Sequence, residues 1–293
     1  MAQVPGSLSE FLSAQRCVIR VALTRVRGSS PRNEGTEMFV APGALWGTIG
    51  GGQLEYIAIN AARDMLRDGA LHQDLDVPLG PEIGQCCGGR VELNLTRMRA
   101  SDKWAATERA ALREEALPHV YVMGAGHVGR ALANQLQHLP VRCILVDTRP
   151  EEIELCTANV DTRVSAIPEA EIWSAPAGSA FIVLTHDHGL DFLLTSAALE
   201  RQDAAYVGMI GSATKRVKLR NWAHKNCDGQ SIEQLNCPIG ASGSRDKRPS
   251  VIAAFVVAEV MADLTSETAA TALTGANQAP LLGNQTDRKG RLA

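Results

Sequence analysis

Three closely spaced glycines in the second half of the chain restrict its fold more than any other feature. The segment Gly124–Gly129 has the spacing G-x-G-x-x-G, follows an apolar strand and opens a helix. In this context Gly124 permits a tight turn, Gly126 lets a phosphate approach the backbone, and Gly129 lets the helix pack closely on the strand. The helix N-terminus adds unpaired N–H groups and a positive dipole end. The segment therefore predicts a phosphate-binding loop, with a packed but empty pocket as the alternative.

Strands and helices alternate regularly around this loop. The predicted strands are Val120–Met123, Val141–Val146, Ala180–Leu184 and Tyr206–Ile210, and the predicted helices are His127–Gln137, Phe192–Arg201, Thr214–His224 and Pro249–Leu264. Such βαβ units form a parallel sheet covered on both faces. The second strand ends in Asp147, which can bond a ribose 2′-hydroxyl, while Thr148 and Arg149 leave a 2′-phosphate as a less favoured option. We expect an α/β protein whose second half is a Rossmann-type parallel-sheet domain.

The first half mixes short strands with one helix, which predicts an α+β domain. The predicted strands are Cys17–Val26, Met38–Val40, Leu45–Ile49 and Arg90–Thr96, and the helix is Leu54–Leu66. A polar stretch that ends before Pro118 predicts a connecting helix. We expect the N-terminal domain at 1–100, the connecting helix at 101–118, the Rossmann-type domain at 119–265 and a polar, flexible tail at 266–293.

Charge and composition exclude several classes of protein. The chain of 293 residues has a net charge of −3, whereas a general nucleic-acid binder or a polybasic membrane-surface protein needs a basic excess. No apolar run approaches the roughly 18 residues of a membrane span, and no secretory signal is visible at the start. Seven cysteines, scattered except for one adjacent pair, are typical of a reduced chain. We expect a cytoplasmic protein that binds neither nucleic acid nor membrane.

The adjacent Cys86 and Cys87 form the chemically most reactive segment. Glycines flank the pair, and Arg90 follows it. A nearby cation and local N–H groups favour the thiolate, and a thiolate suits soft partners such as sulfur, copper(I) or a sulfur-rich molybdenum centre. Adjacent side chains diverge and no C-x-x-C motif accompanies them, so we do not expect structural zinc. One buried cysteine beside an incidental neighbour is the alternative.

A second glycine run, Gly50-Gly51-Gly52, opens the helix of the first half. Such a loop can hold an anion or fit tightly against another backbone. The upstream segment Arg27–Arg32 supplies two cations and two hydroxyls. If both loops converge with the cysteine loop, they form a phosphate-binding pocket with thiols at its edge.

Two further candidate positions follow later strands of the second half. His186 and His188 come directly after a strand, where ligands bind in open α/β sheets. We expect them to line the pocket, with a metal site and ordinary loop residues as alternatives. Lys215 lies in a first helical turn, where a cation opposes the helix dipole unless an anion lies nearby. A phosphate contact and a solvated helix start are both compatible with it. We assign no catalytic residue and no metal site.

Taken together, these motifs resemble the xanthine dehydrogenase accessory proteins of the XdhC/CoxI family. The resemblance runs in order from about Val18 to Leu264. It rests on Arg27–Arg32, Gly47–Gly52 with Leu54-Glu55, Cys87–Gly89, Gly124–Gly129, Thr185–His188 with Asp191, Tyr206–Ser212 with Lys215-Arg216, and Pro238–Gly240. The segment Ala241–Pro249 departs from the Gly/Lys-rich stretch with Thr-Pro that the family often has there.

The resemblance implies a chaperone rather than an enzyme. The family binds the molybdenum cofactor, a molybdopterin, presents it to a cysteine desulfurase that exchanges an oxo for a sulfido ligand, and inserts it into the molybdenum subunit of apo xanthine dehydrogenase. Cys87 matches the family's motif cysteine, while either Cys86 or Cys87 is the molybdenum contact. A homodimer is a further expectation. An NAD(P)-dependent oxidoreductase that uses the G-x-G-x-x-G domain and a thiol-based sulfur-transfer enzyme are the alternatives.

Overall fold

The computed structural model describes residues 6–81, 88–241 and 243–265, and the chain divides between Ala116 and Leu117 into two compact units. The first unit contains, in chain order, α1 (Leu8–Ala14), β1 (Ile19–Arg27), β2 (Glu37–Val40), β3 (Leu45–Gly47), α2 (Gly52–Asp68), β4 (His72–Pro78), β5 (Arg90–Arg97) and α3 (Ala100–Glu115). The second contains β6 (His119–Met123), α4 (His127–Leu136), β7 (Arg142–Asp147), α5 (Pro150–Glu154), β8 (Asp161–Val164), α6 (Pro168–Ser174), β9 (Ala180–Val183), α7 (His188–Glu200), β10 (Tyr206–Met209), α8 (Ala213–Asn226), β11 (Leu235–Asn236) and α9 (Pro249–Leu264). No helix of the described ranges is long and apolar enough to cross a membrane.

An antiparallel sheet with the strand order β3-β2-β1-β5-β4 forms the centre of the first unit. Strand β1 contributes Ile19, Val21 and Leu23, at alternate positions, to the main core of this unit. Helix α2 adds Leu54 and Ala58, which lie one helical turn apart. Together they make the α+β domain that the sequence predicts.

Helix α3, which the sequence predicts as a connecting segment, packs within the first unit. Its Ala106 is buried in a small cluster with Phe11 of α1. Its Lys103 Nζ donates to the carbonyl oxygens of Leu12, at 3.3 Å, and Arg16, at 3.2 Å. These carbonyls lie at and just beyond the end of α1, where helical C=O groups lack intrahelical partners. The division between the units falls after this helix.

A parallel sheet with the order β11-β10-β9-β6-β7-β8 forms the centre of the second unit. Counted from β6 along the chain, this is the 3-2-1-4-5-6 arrangement of the Rossmann fold, in which the strand order reverses beside the first strand. The crevice at that reversal lies at the carboxyl ends of β6, β7 and β9. The predicted Rossmann-type domain is confirmed.

The structure departs from the predicted elements where the segments are short or polar. Helix α7 begins at His188 rather than near Phe192, because the Asp187 carboxylate caps it by accepting from the Leu190 amide at 2.8 Å. Helices α5 and α6 span five and seven residues, too few to display a helical period. Strand β8 is partly exposed throughout and lacks the apolar pattern of a buried strand.

Candidate functional site

The glycine loop of the second unit has the geometry that its spacing predicts. Gly124 has a φ of +129°, and a Cβ there would lie 2.5 Å from the Leu184 carbonyl oxygen. A Cβ on Gly129 would lie 1.8 Å from the carbonyl oxygen of Gly124, so helix α4 is seated directly on the loop. A Cβ on Gly126 would meet no described atom within 4 Å. The first and third glycines are thus required by packing, and the second faces open space, where an anion can approach.

The carboxylate of Asp147, at the end of β7, is already fully engaged. Its Oδ2 accepts from the Ala125 amide at 2.7 Å and from Arg149 Nη2 at 3.0 Å. Its Oδ1 accepts from the Arg149 amide and from Arg149 Nε, both at 3.0 Å. Burial opposes ionisation, but the hydrogen bonds from Arg149 and Ala125 prevail and hold the pKa of Asp147 below its usual value. The predicted ribose-binding acid therefore braces the glycine loop.

A second charged pair holds the same loop from its other side. Arg130 Nη1 donates to the Ala125 carbonyl oxygen at 2.6 Å and also pairs with Glu152 Oε2. Both backbone polar groups of Ala125 are thus bonded to charged side chains, the amide to Asp147 and the carbonyl to Arg130. This bracing fixes the turn between Gly124 and Gly126, since each bond restrains the same peptide units.

A narrow crevice lies beside this loop, at the carboxyl ends of β6, β7 and β9. It encloses about 10 Å³, about the room of one water molecule. It is lined by Met123, Gly124, Val146, Asp147, Thr148, Pro168, Thr185, His186, Leu190 and Leu194. The structure thus brings His186, Asp147 and the glycine loop together beside this narrow crevice.

Lys215 lies in a buried ion pair rather than at an open anion site. Its Nζ pairs with Asp191 Oδ2 and donates to the Ile210 carbonyl oxygen at 3.0 Å. The side chains of Lys215 and Asp191 are 11% and 1% exposed. Asp191 Oδ1 also accepts from the amide and the hydroxyl of Thr185, both at 2.8 Å. The pair ties the segment after β9 to the start of α8.

His188 is the exposed first residue of α7 and is not among the residues that line the crevice. His186 is also exposed, although it contributes to the crevice wall. Within the described ranges, no group of three or more His, Cys, Asp or Glu side chains is placed to hold a metal ion.

In the first unit, three glycine-bearing segments meet at one end of the sheet. A Cβ on Gly50 would lie 2.4 Å from Pro31 Cγ, so the loop before α2 contacts the segment after β1. A Cβ on Gly89 would lie 2.0 Å from the Ser29 carbonyl oxygen, so the segment before β5 contacts it as well. The loop of Gly50, Gly51 and Gly52, the segment Arg27–Arg32 and the pair Gly88–Gly89 therefore converge. Cys86 and Cys87, which precede Gly88 in the sequence, lie outside the described residues.

Glu55 of α2 accepts from one amide of the Gly50-Gly51-Gly52 loop and from two donors just before it. Its Oε1 accepts from the Ile49 and Gly51 amides, both at 3.0 Å, and from the Thr48 hydroxyl. The Gly50 amide donates to Thr48 Oγ1 at 3.1 Å. A carboxylate of the chain itself thus lies at this loop, for which the sequence allows either an anion or close packing.

The sequence reasoning missed Arg130 and Glu152, because a charged pair 22 residues apart leaves no periodic signal. It also missed Pro168, Leu190 and Leu194, which narrow the crevice. Arg149 and Glu55 belong to the sequence motifs described above, but the motifs do not predict their hydrogen-bond partners within the chain.

Comparison with known proteins agrees with this architecture. A protein of Escherichia coli strain K12, described as the uncharacterized protein YqeB, is 25% identical over 262 residues, which are 85% of this chain and 44% of that protein. The chain thus spans less than half the length of this curated relative. A Bacillus halodurans protein, whose crystal structure is described as a xanthine dehydrogenase, matches with a TM-score of 0.75 over 90% of this chain and 96% of that one. At 17% identity this likeness shows a shared fold.

Two family profiles match the chain itself. The profile of the XdhC Rossmann domain matches residues 120–260, and that of the XdhC and CoxI family matches residues 11–74. The matches fall separately in the second and first units. The chain belongs to the XdhC and CoxI family.

Proposed function

We propose that this protein binds the molybdenum cofactor and serves as an accessory factor in the maturation of xanthine dehydrogenase. Family membership supports the role in maturation. The observation that carries cofactor binding is the convergence of Arg27–Arg32, Gly50–Gly52 and Gly88–Gly89 in the first unit. Cys87, one of the two proposed thiol ligands, directly precedes Gly88 in the sequence.

The chemistry of these loops suits a pterin that carries a phosphate and a soft metal. Arg32, which is exposed, suits an anion, while a thiolate of Cys86 or Cys87 suits molybdenum held by sulfur. In this proposal the protein protects the cofactor in the cytoplasm and presents it to a cysteine desulfurase, which supplies the sulfido ligand. It then transfers the cofactor to the molybdenum subunit of apo xanthine dehydrogenase. A homodimer would present two such sites.

The test is anaerobic binding of molybdenum cofactor to the reduced full-length protein. Wild type, Cys86→Ser and Cys87→Ser are compared, with Cys17→Ser as a matched control from the same unit. Bound molybdenum is measured by mass spectrometry, and bound pterin by its fluorescence after oxidation. We expect one of the two adjacent cysteine variants to lose binding while Cys17→Ser retains it. Wild-type protein that binds no cofactor would refute the proposal.

A second readout tests transfer. Cofactor-loaded protein is mixed with desulfurase, cysteine and apo xanthine dehydrogenase, and the activity that appears is followed. We expect loaded wild type to activate the apoenzyme, and the binding-deficient cysteine variant to fail. Equal activation by both would show that the thiol has no part in the transfer. A persulfide on Cys86 or Cys87 after desulfurase treatment would instead favour the sulfur-transfer alternative.

The NAD(P)-dependent oxidoreductase is the second candidate, because the open face of Gly126 suits a pyrophosphate. The engaged Asp147 and the narrow crevice count against it.

A further inference from the structure

The contacts of Asp147 bear on which ligands the Rossmann domain accepts. In dinucleotide-binding domains an acid in this position accepts hydrogen bonds from the ribose hydroxyls. An ionised carboxylate offers about four acceptor positions. Asp147 uses four, one for the Ala125 amide and three for Arg149. A ribose diol therefore finds no free acceptor on this side chain.

We propose that Arg149 is a specificity-determining residue that excludes nicotinamide dinucleotides from the Rossmann domain by occupying the Asp147 carboxylate. Its guanidinium lies fork to fork on the Asp147 carboxylate, the geometry of strong charge-assisted pairing. The Arg149 amide adds a further bond to the same oxygen that Nε contacts. A ribose must displace Arg149 from Asp147 before it can bind. Its two hydroxyls would then replace charged donors with neutral ones at an ionised acceptor.

A ribose 2′-phosphate is also disfavoured, because Arg149 lies between the carboxylates of Asp147 and Glu152. Nε and Nη2 of Arg149 are spent on Asp147, and Nη1 lies 3.7 Å from Glu152 Oε1. The phosphate would be brought beside both carboxylates. Glu152 is itself held by Arg130, so the four charges neutralise one another and offer no unpaired cation to an incoming phosphate.

Pro168, Leu190 and Leu194 lie near Asp147 in the lining of the narrow crevice. No described atom lies within 4 Å of a Cβ built on Gly126, so the exclusion concerns the nucleoside end alone. The inference goes beyond the proposed function and does not rest on it, because it concerns ligands that contain no molybdenum cofactor.

The experiment measures binding of ADP-ribose, NAD⁺ and NADP⁺ to the full-length protein by isothermal titration calorimetry. The variants are Arg149→Ala and Arg149→Gln, the second of which preserves much of the side-chain volume. Arg248→Ala is the matched control. Arg248 makes the same backbone and guanidinium contacts to an aspartate two residues before it, Asp246, but lies on an exposed segment.

We expect no measurable binding of the three probes by wild type and Arg248→Ala. Arg149→Ala or Arg149→Gln should bind ADP-ribose measurably, with an affinity at least about tenfold above the detection limit set by the wild-type titration, because a freed charged acceptor adds a charge-assisted hydrogen bond. Adding Asp147→Ala to either variant should abolish the gain in affinity for ADP-ribose. If Arg149 had a merely structural role, the gain would not depend on Asp147. Tight binding of NAD⁺ or NADP⁺ by wild type overturns the proposal. So does the absence of any gain in whichever Arg149 variant keeps the wild-type circular dichroism spectrum.

Discussion

Replacing Lys215 with Met tests whether this residue is a structural cation or an open anion contact. Its ammonium is shared between the Asp191 carboxylate and the Ile210 carbonyl oxygen, and its side chain is 11% exposed. Methionine preserves the length and the apolar stem of lysine but removes the charge. The Asp191 carboxylate, only 1% exposed, would keep the two donors of Thr185 and lose its counter-charge.

The expected cost follows from that burial. Breaking a buried ion pair by removing one partner destabilises a protein by about 3–5 kcal/mol, because the other charge stays buried and unpaired. For a unit of this size each kcal/mol lowers the melting temperature by roughly 2–4 °C, so the shift should be about 6–20 °C. Adding Asp191→Asn should recover part of the loss, since asparagine still accepts from Thr185 without a buried charge.

Urea unfolding followed by circular dichroism, together with calorimetry, measures these changes. Lys218→Met is the matched control, because Lys218 lies exposed on the same helix and its loss should change stability by no more than about 0.5 kcal/mol. A cost below about 1 kcal/mol for Lys215→Met would contradict the buried-pair reasoning. Such a result would favour the alternative that the sequence allows, in which Lys215 contacts an anion.

Three further predictions address the second unit. Gly129→Ala should destabilise or misfold it, because the new Cβ would lie 1.8 Å from a carbonyl oxygen, whereas Gly126→Ala should leave thermal stability nearly unchanged. The stability that Asp147 contributes should be complete above its ordinary pKa of 3.8 and be lost as the pH falls through its lowered folded pKa. Asp147→Asn should therefore flatten the acid limb of an unfolding-against-pH curve, and an unchanged limb would contradict this. Burial raises the pKa of Cys143 to about 12, so iodoacetamide at pH 8 should label it only after unfolding, as peptide mass spectrometry would show.

The fold of the second unit could be predicted because its signals are local and repeated. Each buried strand is an apolar run followed by a glycine or polar break and then a helix, and right-handed βαβ units leave few ways to order such strands. The antiparallel order of the first sheet had no comparable signal. Strand β4 was missed because it is an edge strand with only Val77 buried among its residues. Helix α1 has seven residues, but its capping box of Ser7 and Glu10 is a sequence signature that could have revealed it.

The polar groups of the candidate sites could be predicted from the sequence. Whether those groups are free to bind a ligand could not. The spacing of Gly124, Gly126 and Gly129 indicates which positions need glycine. The structure requires glycine for packing at Gly124 and Gly129 and leaves open space at Gly126. Whether Asp147 is free depends on the rotamer of Arg149, which no pattern encodes. The same holds for Lys215, whose partner Asp191 lies 24 residues away and is brought close only by the sheet.

Two glycine loops in separate units, Gly50–Gly52 and Gly124–Gly129, each hold an internal carboxylate. Glu55 accepts from the amides of Ile49 and Gly51, and Asp147 accepts from the amide of Ala125. A tethered carboxylate competes with any external anion at a high effective concentration. An anionic ligand therefore binds more weakly than the number of loop amides would suggest. When the ligand dissociates, the carboxylate of the chain can accept from the loop amides again. Such competition is a disadvantage for an enzyme that retains its cofactor, but it suits the proposed function, in which the protein releases a phosphate-bearing cofactor to a partner.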